Sequence, residues 1–399
     1  MNIPAFTLSA LPRLIFGDGV INQVPTLIGE FGHKALLITG SKSFTQTPHW
    51  QALTFALHQL HIDFEHTIVD SEPSPTLVDE LAAHFREHKI DVVVGIGGGS
   101  VLDAAKAVAG LLNVKNSVMD FLEGVGPELP YLGPALPFIA VPTTAGTGSE
   151  ATKNAVLSQP GLSGFKKSFR HEKLVPHYAV VDPELLESCP PALIAANGMD
   201  AFTQLLESYT SLKANPLTDA LALSGMVAVR DSLLALYHGE GDLAQHRRAL
   251  AYAATLSGIT LAQVGLGAVH GLAAPLGAFF SMPHGMVCGT LVAACTEANI
   301  HALENRAPKS QILKKYAQLG RVLLDAEDEF DLPNSVACKI LIDVLKEWTK
   351  QLHLPRLSSF GMSADDIAHV VQNCRGSSMK TNPMLLTDAE VAEILRKRL

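Results

Sequence analysis

A long stretch without charged side chains constrains this fold more than any other feature. Residues 249–296 contain no Asp, Glu, Lys or Arg, yet they include His270 and His284. A membrane-spanning helix needs about 20 predominantly apolar residues, whereas Pro275, Pro283 and many glycines interrupt this stretch. The sequence therefore predicts buried core helices and no membrane partner.

The composition points to a protein with a large interior. Apolar residues make up 47% of the chain and charged residues only 17%, against about 25% charged in ordinary domains. The net charge of −9, without a Lys/Arg run, argues against a nucleic-acid partner. Five cysteines without a C-x-x-C pair indicate free thiols in a reducing cytoplasm, and the N-terminus shows no secretory signal.

The first half of the sequence alternates apolar runs with amphipathic segments. Strands that alternate with helices predict a doubly wound parallel sheet whose ligands bind at the carboxyl ends of the strands. A helix is expected over 76–88, where Leu77, Leu81 and Phe85 recur at helical spacing. The predicted strands are 34–40, 63–69, 90–97, 137–142 and 177–183.

The second half changes to helical periodicity from about residue 190 onward. The Pro-rich stretch 188–193 follows the last predicted strand and is the natural boundary. We therefore expect an α/β domain over 1–188, followed by an all-α domain over 189–399.

A glycine-rich turn follows the strand predicted at 90–97. Gly98, Gly99 and Ser100 precede a predicted helix, and such a turn lets backbone N–H groups and a helix N-terminus approach a phosphate. Asp103 is expected in the first turn of that helix, where its carboxylate could accept free N–H groups or a ligand hydroxyl. The alternative is a tight turn without a ligand.

A second candidate contact lies after the strand predicted at 34–40. The strand runs into Gly40, Ser41 and Lys42, without the acid that often holds the ribose 2′-hydroxyl of an unphosphorylated dinucleotide. If an adenosine ribose lies here, Lys42 and the neighbouring hydroxyls better suit a 2′-phosphate. A solvated turn lysine is the alternative.

The loop 141–152 carries hydroxyl side chains interleaved with glycines. Such a loop could bind a carboxamide, a ribose or a pyrophosphate, although a hydroxyl-rich turn without a ligand is also open. The hydroxyl residues are Thr143, Thr144, Thr147 and Ser149.

His270 and His284 suggest a metal site. The prolines between them predict a helix, a turn and a second helix whose start faces the first. A third candidate is Asp200, an early-helix carboxylate among apolar neighbours. Two imidazoles and a carboxylate suit Fe²⁺ or Zn²⁺, and hydrogen-bonded core histidines are the alternative.

Five ordered motifs together resemble the iron-containing (group III) alcohol dehydrogenase family, with its dehydroquinate synthase-like fold. They are GGGS, VPTTAGTGSEAT, GMDAFTQLLESY, HGLAAPLG and PHGMVCG, and the match runs from 12–19 to 380–383. The resemblance implies an NAD(P)-binding α/β domain, a helical metal-binding and substrate domain, and a homodimer. It also implies an NAD- or NADP-dependent enzyme (EC 1.1.1.-) that transfers hydride between nicotinamide and a small alcohol or aldehyde.

Site residues follow from the same resemblance. Asp200, His270 and His284 match metal ligands, and Lys166 is the candidate for a family lysine near the cofactor. The glycines, hydroxyls and acid of the two loops match cofactor contacts: Gly98, Gly99, Ser100, Asp103, Thr143, Thr144 and Thr147.

Two departures from the family pattern affect the metal and the proton. Gln204 stands where the family has a histidine four residues after the aspartate. Its carbonyl shares a helix face with Asp200 and is a candidate but weaker fourth ligand, which leaves iron against zinc open. Ala274 replaces a histidine associated with proton relay, so the alcohol proton needs water, a ribose hydroxyl or another side chain.

Three alternative functions remain at this point. A dehydroquinate-synthase-like lyase would need several basic residues for a sugar phosphate, and a maleylacetate-type reductase would need cations in its substrate half. Gln204 and Ala274 also leave open a non-catalytic nucleotide-binding or assembly protein, although Asp200, His270 and His284 argue against it.

Overall fold

The chain forms two compact units. A computed structural model describes residue 3, residues 5–324 and residues 332–399. The first unit consists of Leu8–Gln159 and Gly164–Cys189, and the second consists mainly of Pro190–Leu399 with Pro160–Ser163. The change from one unit to the other at Pro190 falls within the Pro-rich stretch 188–193.

The first unit combines strands with helices. Its strands are β1 (Arg13–Phe16), β2 (Lys34–Thr39), β3 (Asp63–Ile68), β4 (Val92–Gly97), β5 (Phe138–Pro142), β6 (Asn154–Gln159), β7 (Phe165–Arg170) and β8 (Tyr178–Val181). Its α-helices are α1 (Val24–Gly29), α2 (Pro48–Gln59), α3 (Pro75–Phe85) and α4 (Gly99–Leu111).

Six strands form one parallel sheet in the order β1-β8-β5-β4-β2-β3. From β2 the chain goes outward to the edge strand β3, then crosses back to β4 on the other side of β2. The strand order therefore reverses between β2 and β4, and such a switch point is where open α/β sheets bind ligands. Val92, Val93 and Val94 of β4 are fully buried, as expected of a strand covered on both faces.

The five predicted strands and the helix predicted at 76–88 are confirmed, with shifts of a few residues at their ends. Strand β1 and the antiparallel hairpin of β6 and β7, which forms a separate two-stranded sheet, were not predicted from the sequence. In β7, Phe165 is followed by Lys166 and Lys167, so this strand lacks the continuous apolar run that revealed the central strands.

The described part of the second unit is built from helices, which confirms the all-α prediction. They are α5 (Pro191–Thr210), α6 (Pro216–His238), α7 (Leu243–Val264), α8 (Ala268–Phe280), α9 (His284–Arg306), α10 (Gln311–Leu324), α11 (Asn334–Gln351), α12 (Ile367–Asn373) and α13 (Asp388–Arg398).

The helix, turn and helix expected around the two histidines are α8 and α9. Ser281 ends α8 with a left-handed φ of 50°, and Pro283 precedes α9. The expectation that Pro275 breaks the chain is wrong, because it lies inside α8. The fully buried Leu272 and Leu276 on either side hold this segment in the core.

Length and composition alone would allow α6 and α9 to cross a bilayer, and the pair α7 and α8, bent by 101°, to form a third span. The most apolar window of α9 is 78% buried within the protein. This burial is what the sequence analysis expected of a core helix.

Candidate metal and nucleotide sites

Three helices of the second unit bring the predicted metal ligands together. Asp200 lies in α5, His270 in the first turn of α8, and His284 is the first residue of α9. The Oδ1 atom of Asp200 lies 3.4 Å from Nε2 of His270 and 3.7 Å from Nε2 of His284. The arrangement directs one carboxylate oxygen and two ring nitrogens at a common point.

The surroundings of Asp200 fit a cation. Its side chain is 1% exposed, and Oδ1 has no hydrogen-bond partner among the described residues. Burial raises the pKa of this carboxyl group, but His284 and His270 lower it further, so the net shift is downward. An ionised carboxylate without a donor is costly to bury, and a divalent cation held with two neutral imidazoles would satisfy it.

Glu207 orients His270 from the side away from this point. The Nδ1 atom of His270 lies 2.6 Å from Oε2 of Glu207, while Oε1 accepts a hydrogen bond from the N–H of Val269 at 2.7 Å. Asn382 accepts the preceding N–H, from Ala268, at 3.0 Å. The two acceptors fix the start of α8, and a carboxylate at Nδ1 leaves the Nε2 lone pair for a metal.

Cys288 is a further candidate ligand, beside Gln204, that was not predicted from the sequence. Its Sγ atom lies 3.6 Å from Nε2 of His270 and 3.8 Å from Nε2 of His284. The potential ligand atoms of Asp200, His270, His284 and Cys288, called here the metal cluster, all lie within 4.8 Å of one another. Burial raises the pKa of the Cys288 thiol to about 12.

Spacing along the helices could have revealed both missed residues. Cys288 follows His284 by one helical turn, and Glu207 follows Asp200 by two, so each pair shares a helix face. A cysteine and an acid in otherwise apolar helices were the available signals.

Gln204 and Ala274, the two departures from the family pattern, lie in α5 and α8, the helices that carry Asp200 and His270. Gln204 in α5 is 2% exposed, and its Oε1 atom accepts a hydrogen bond from Ser257 at 3.0 Å. Ala274 lies in α8 one turn after His270. The Gln204 carbonyl is thus already a hydrogen-bond acceptor for Ser257 of α7.

The predicted nucleotide residues lie in the first unit, after three adjacent strands. Gly40, Ser41 and Lys42 follow β2, Gly98 and Ser100 flank the start of α4 after β4, and the loop 143–149 follows β5. These strands are neighbours in the sheet, in the order β5-β4-β2. Their carboxyl ends therefore bring the three loops to the switch point.

Close packing explains the glycines of this site. A Cβ atom on Gly99 would lie 2.7 Å from Cγ2 of Thr147, and one on Gly98 would lie 3.3 Å from Oγ1 of Thr144. The N–H of Thr143 also donates to the carbonyl of Gly97. The turn after β4 and the loop after β5 approach each other to a separation that side chains at Gly98 and Gly99 would prevent.

The expectation that Asp103 lies in the first turn of its helix is wrong, because α4 begins at Gly99 and has no acid there. The Asp103 carboxylate instead accepts hydrogen bonds from Ser149 Oγ at 2.5 Å and from the N–H of Val156 at 3.1 Å. Burial raises its pKa against the opposing effect of Lys106.

Lys106 stabilises the loop after β5 through hydrogen bonds. Its side chain is fully buried, and Nζ donates at 2.8 Å to each of three oxygens: Ser149 O, Thr152 Oγ1 and Asn154 O. Burial lowers the Lys106 pKa to about 8. Ser149 is therefore shared between a carboxylate and an ammonium group.

The predicted lysines differ in environment. Nζ of Lys166, in β7, lies 2.6 Å from Oε1 of Glu72, and the Lys166 side chain is 10% exposed. Lys42 lies in the exposed turn after β2. The ion pair limits what Lys166 can offer a ligand, whereas the Lys42 side chain is accessible.

Comparison with known proteins identifies the family. The iron-containing alcohol dehydrogenase model matches residues 12–183, and the C-terminal model of the Fe-containing alcohol dehydrogenase family matches residues 194–399. The chain belongs to the iron-containing alcohol dehydrogenase family.

Relatives with known names cover nearly the whole length of this chain. Alcohol dehydrogenase 4 of Saccharomyces cerevisiae is 30% identical over 97% of this chain and 96% of its own. The NAD-dependent methanol dehydrogenase of Bacillus methanolicus is 29% identical over 97% and 98%. Among solved structures, the archaeal Red Sea brine pool alcohol dehydrogenase ADH/D1 is 28% identical, covers 100% of both chains and has a TM-score of 0.90.

Family membership establishes the reaction class of this chain. It is an oxidoreductase of the NAD(P)-linked alcohol dehydrogenase type, in a family that uses iron and NAD(P). This outcome confirms the family and enzyme predictions and favours them over the lyase and the non-catalytic alternatives.

Proposed function

We propose that this protein reduces a small aldehyde to its alcohol, or runs the reverse reaction, with a metal held by Asp200, His270 and His284. The observation that carries the proposal is the buried Asp200 Oδ1, which lies beside two imidazole nitrogens without a hydrogen bond. An aldehyde, NAD(P)H and a proton give the alcohol and NAD(P)⁺.

Each part of the chain has a defined role in the proposal. Gly98 and Gly99, with the hydroxyls after β5, bind the nucleotide, whose nicotinamide carries the hydride. When bound, the metal supplies Lewis acidity toward the substrate oxygen. Glu207 holds His270 in the required tautomer, and the uncharged walls formed by α8 and the first half of α9 exclude water and strengthen the local field.

We further propose NADP as the preferred cofactor, on the accessible Lys42 and the absence of an acid in the turn after β2. The Bacillus methanolicus relative is named for its use of NAD, so NADH belongs in every assay. Lys166 and Ser149 complete the proposed cofactor residues, although both also bind protein groups.

A cytoplasmic homodimer without nucleic-acid or membrane partners completes the proposal. All five cysteines are free thiols, as a reducing compartment requires. The edge strand β1 exposes 44% of Leu14, and an exposed edge is a template for pairing with a second chain. Analytical ultracentrifugation tests the proposed homodimer, since a monomer at micromolar concentration would contradict it.

The decisive experiment measures oxidation of NADPH and of NADH with a panel of short aldehydes. Chelated protein is assayed, then assayed again after addition of Fe²⁺ or Zn²⁺ under argon. We expect turnover only with metal, and loss of bound metal and activity together in Asp200→Asn and His284→Ala. The exposed His301 of α9 provides the control His301→Ala. Full activity of either ligand variant, or turnover by metal-free protein, would refute the proposed site.

A further inference from the structure

We propose that Cys288 is a fourth protein ligand, which binds as a thiolate, and that the metal cluster consequently selects zinc over Fe²⁺. The inference rests on the metal site of the proposed function and specifies its ligand set. Cys288 is fully buried in α9, one turn after His284, and its Sγ atom faces the same point as Asp200 Oδ1.

The distances within the metal cluster fit a tetrahedral centre. With bonds of about 2.0–2.1 Å to nitrogen and oxygen and about 2.3 Å to sulfur, tetrahedral angles separate nitrogen from oxygen by about 3.3 Å and sulfur from nitrogen by about 3.6 Å. Asp200 Oδ1 lies 3.4 and 3.7 Å from the two imidazole nitrogens, and Cys288 Sγ lies 3.6 and 3.8 Å from them. These four separations lie within a few tenths of an ångström of the tetrahedral values.

The His284 side of the metal cluster leaves access for a substrate. The two remaining separations, between Asp200 and Cys288 and between the two histidines, are no longer than 4.8 Å. Catalytic zinc sites expand to five ligands, and the His284 side chain is 28% exposed. An exchangeable ligand therefore has an approach on the His284 side.

Charge and chemistry favour Cys288 over Gln204 as the fourth ligand. The Gln204 amide is neutral, and its carbonyl already accepts a hydrogen bond from Ser257. A thiolate would bring a negative charge to a divalent cation, which a neutral amide cannot do, and in a buried site that attraction is only weakly screened. Thiolate is a soft ligand that suits Zn²⁺ better than Fe²⁺ in a mixed nitrogen, oxygen and sulfur site.

X-ray absorption at the zinc edge tests the inference directly. Metal-free protein is loaded with one equivalent of Zn²⁺ alone, and we expect one sulfur neighbour at about 2.3 Å beside nitrogen and oxygen neighbours at about 2.0–2.1 Å. Cys288→Ser should lose the sulfur neighbour. Cys295→Ser, which alters another buried cysteine of α9, should keep it.

Affinity and rescue separate ligation from folding. Cys288→Ser should weaken zinc binding by more than the roughly 10- to 100-fold expected from an outer-shell partner, measured by chelator competition. Adding Gln204→His to that variant should restore tight zinc binding without a sulfur neighbour. In ion competition, the preference of wild type for Zn²⁺ over Fe²⁺ should exceed that of Cys288→Ser; equal preferences would refute the claim that Cys288 causes zinc selection.

Three results would overturn the inference. Zinc bound with nitrogen and oxygen neighbours only would refute Cys288 as a ligand while leaving the proposed metal site intact. A sulfur neighbour that persists in Cys288→Ser would also refute it. Failure of wild type to bind any stoichiometric metal would refute both proposals.

Discussion

The Nδ1 atom of His270 lies 2.6 Å from Oε2 of the buried Glu207. The same carboxylate accepts a hydrogen bond from the N–H of Val269 through its other oxygen. One side chain therefore fixes both the backbone at the start of α8 and the ring of His270. This coupling makes the position of Nε2 depend on a residue that lies on α5.

Replacing Glu207 should weaken the metal site without removing a ligand. We expect Glu207→Ala to lower zinc affinity by about 10- to 100-fold, because His270 loses the acceptor that sets its tautomer. Chelator competition measures the change. Ser208→Ala is the matched control, since Ser208 is buried beside Glu207 and its Oγ has no hydrogen-bond partner among the described residues. Equal zinc affinities for the two variants would contradict this role of Glu207.

A methyl group at Gly99 should disturb the nucleotide turn. In Gly99→Ala the added Cβ would lie 2.7 Å from Cγ2 of Thr147, so the loop after β5 has to move. We expect NADPH affinity to fall about tenfold or more, equivalent to about 1.4 kcal/mol, in a fluorescence titration. Gly29→Ala serves as control because a Cβ there meets nothing within 4 Å. Unchanged NADPH binding in Gly99→Ala would mean that the turn does not hold the nucleotide.

Removing Lys106 should destabilise the first unit. Lys106→Met removes the cation that most strongly lowers the Asp103 pKa and takes one donor from each of three oxygens. Breaking a buried charge pair on one side costs about 3 kcal/mol or more, and denaturant unfolding measures it. Lys339→Met, at a lysine whose side chain is 75% exposed, should change stability little.

A double variant checks the assignment of this loss to the charge pair. Asp103→Asn should recover part of the stability lost in Lys106→Met, because it removes the stranded negative charge. Purely additive losses would show that the effect of Lys106 does not depend on the Asp103 charge and comes from its hydrogen bonds and packing.

Lys42 distinguishes the two nicotinamide cofactors. If it binds a 2′-phosphate, Lys42→Ala should raise the KM for NADPH about tenfold, as expected for a charge-assisted contact worth about 1.4 kcal/mol, and leave the KM for NADH unchanged. Lys115→Ala, at an exposed lysine after the C-terminal end of α4, is the control. Equal KM values for NADPH in wild type and Lys42→Ala would identify Lys42 as a solvated turn residue.

The sequence by itself predicted the central strands, the helical second half and three candidate metal ligands. Continuous apolar runs such as Val92–Gly97 predicted the central strands, and the histidines of the uncharged stretch, with Asp200, predicted a metal site. Such patterns are local: a strand, a helix face or a glycine turn depends on residues within a few positions of one another.

Only the tertiary structure decided which side chains meet. Glu207 reaches His270 and Cys288 joins the metal cluster because α5, α8 and α9 pack together, and Asp103 pairs with Ser149 because the turn after β4 packs on the loop after β5. A sequence pattern shows that Cys288 shares a helix face with His284, but it cannot show what that face packs against. Partners on separate elements are fixed by the closest packing of the whole core.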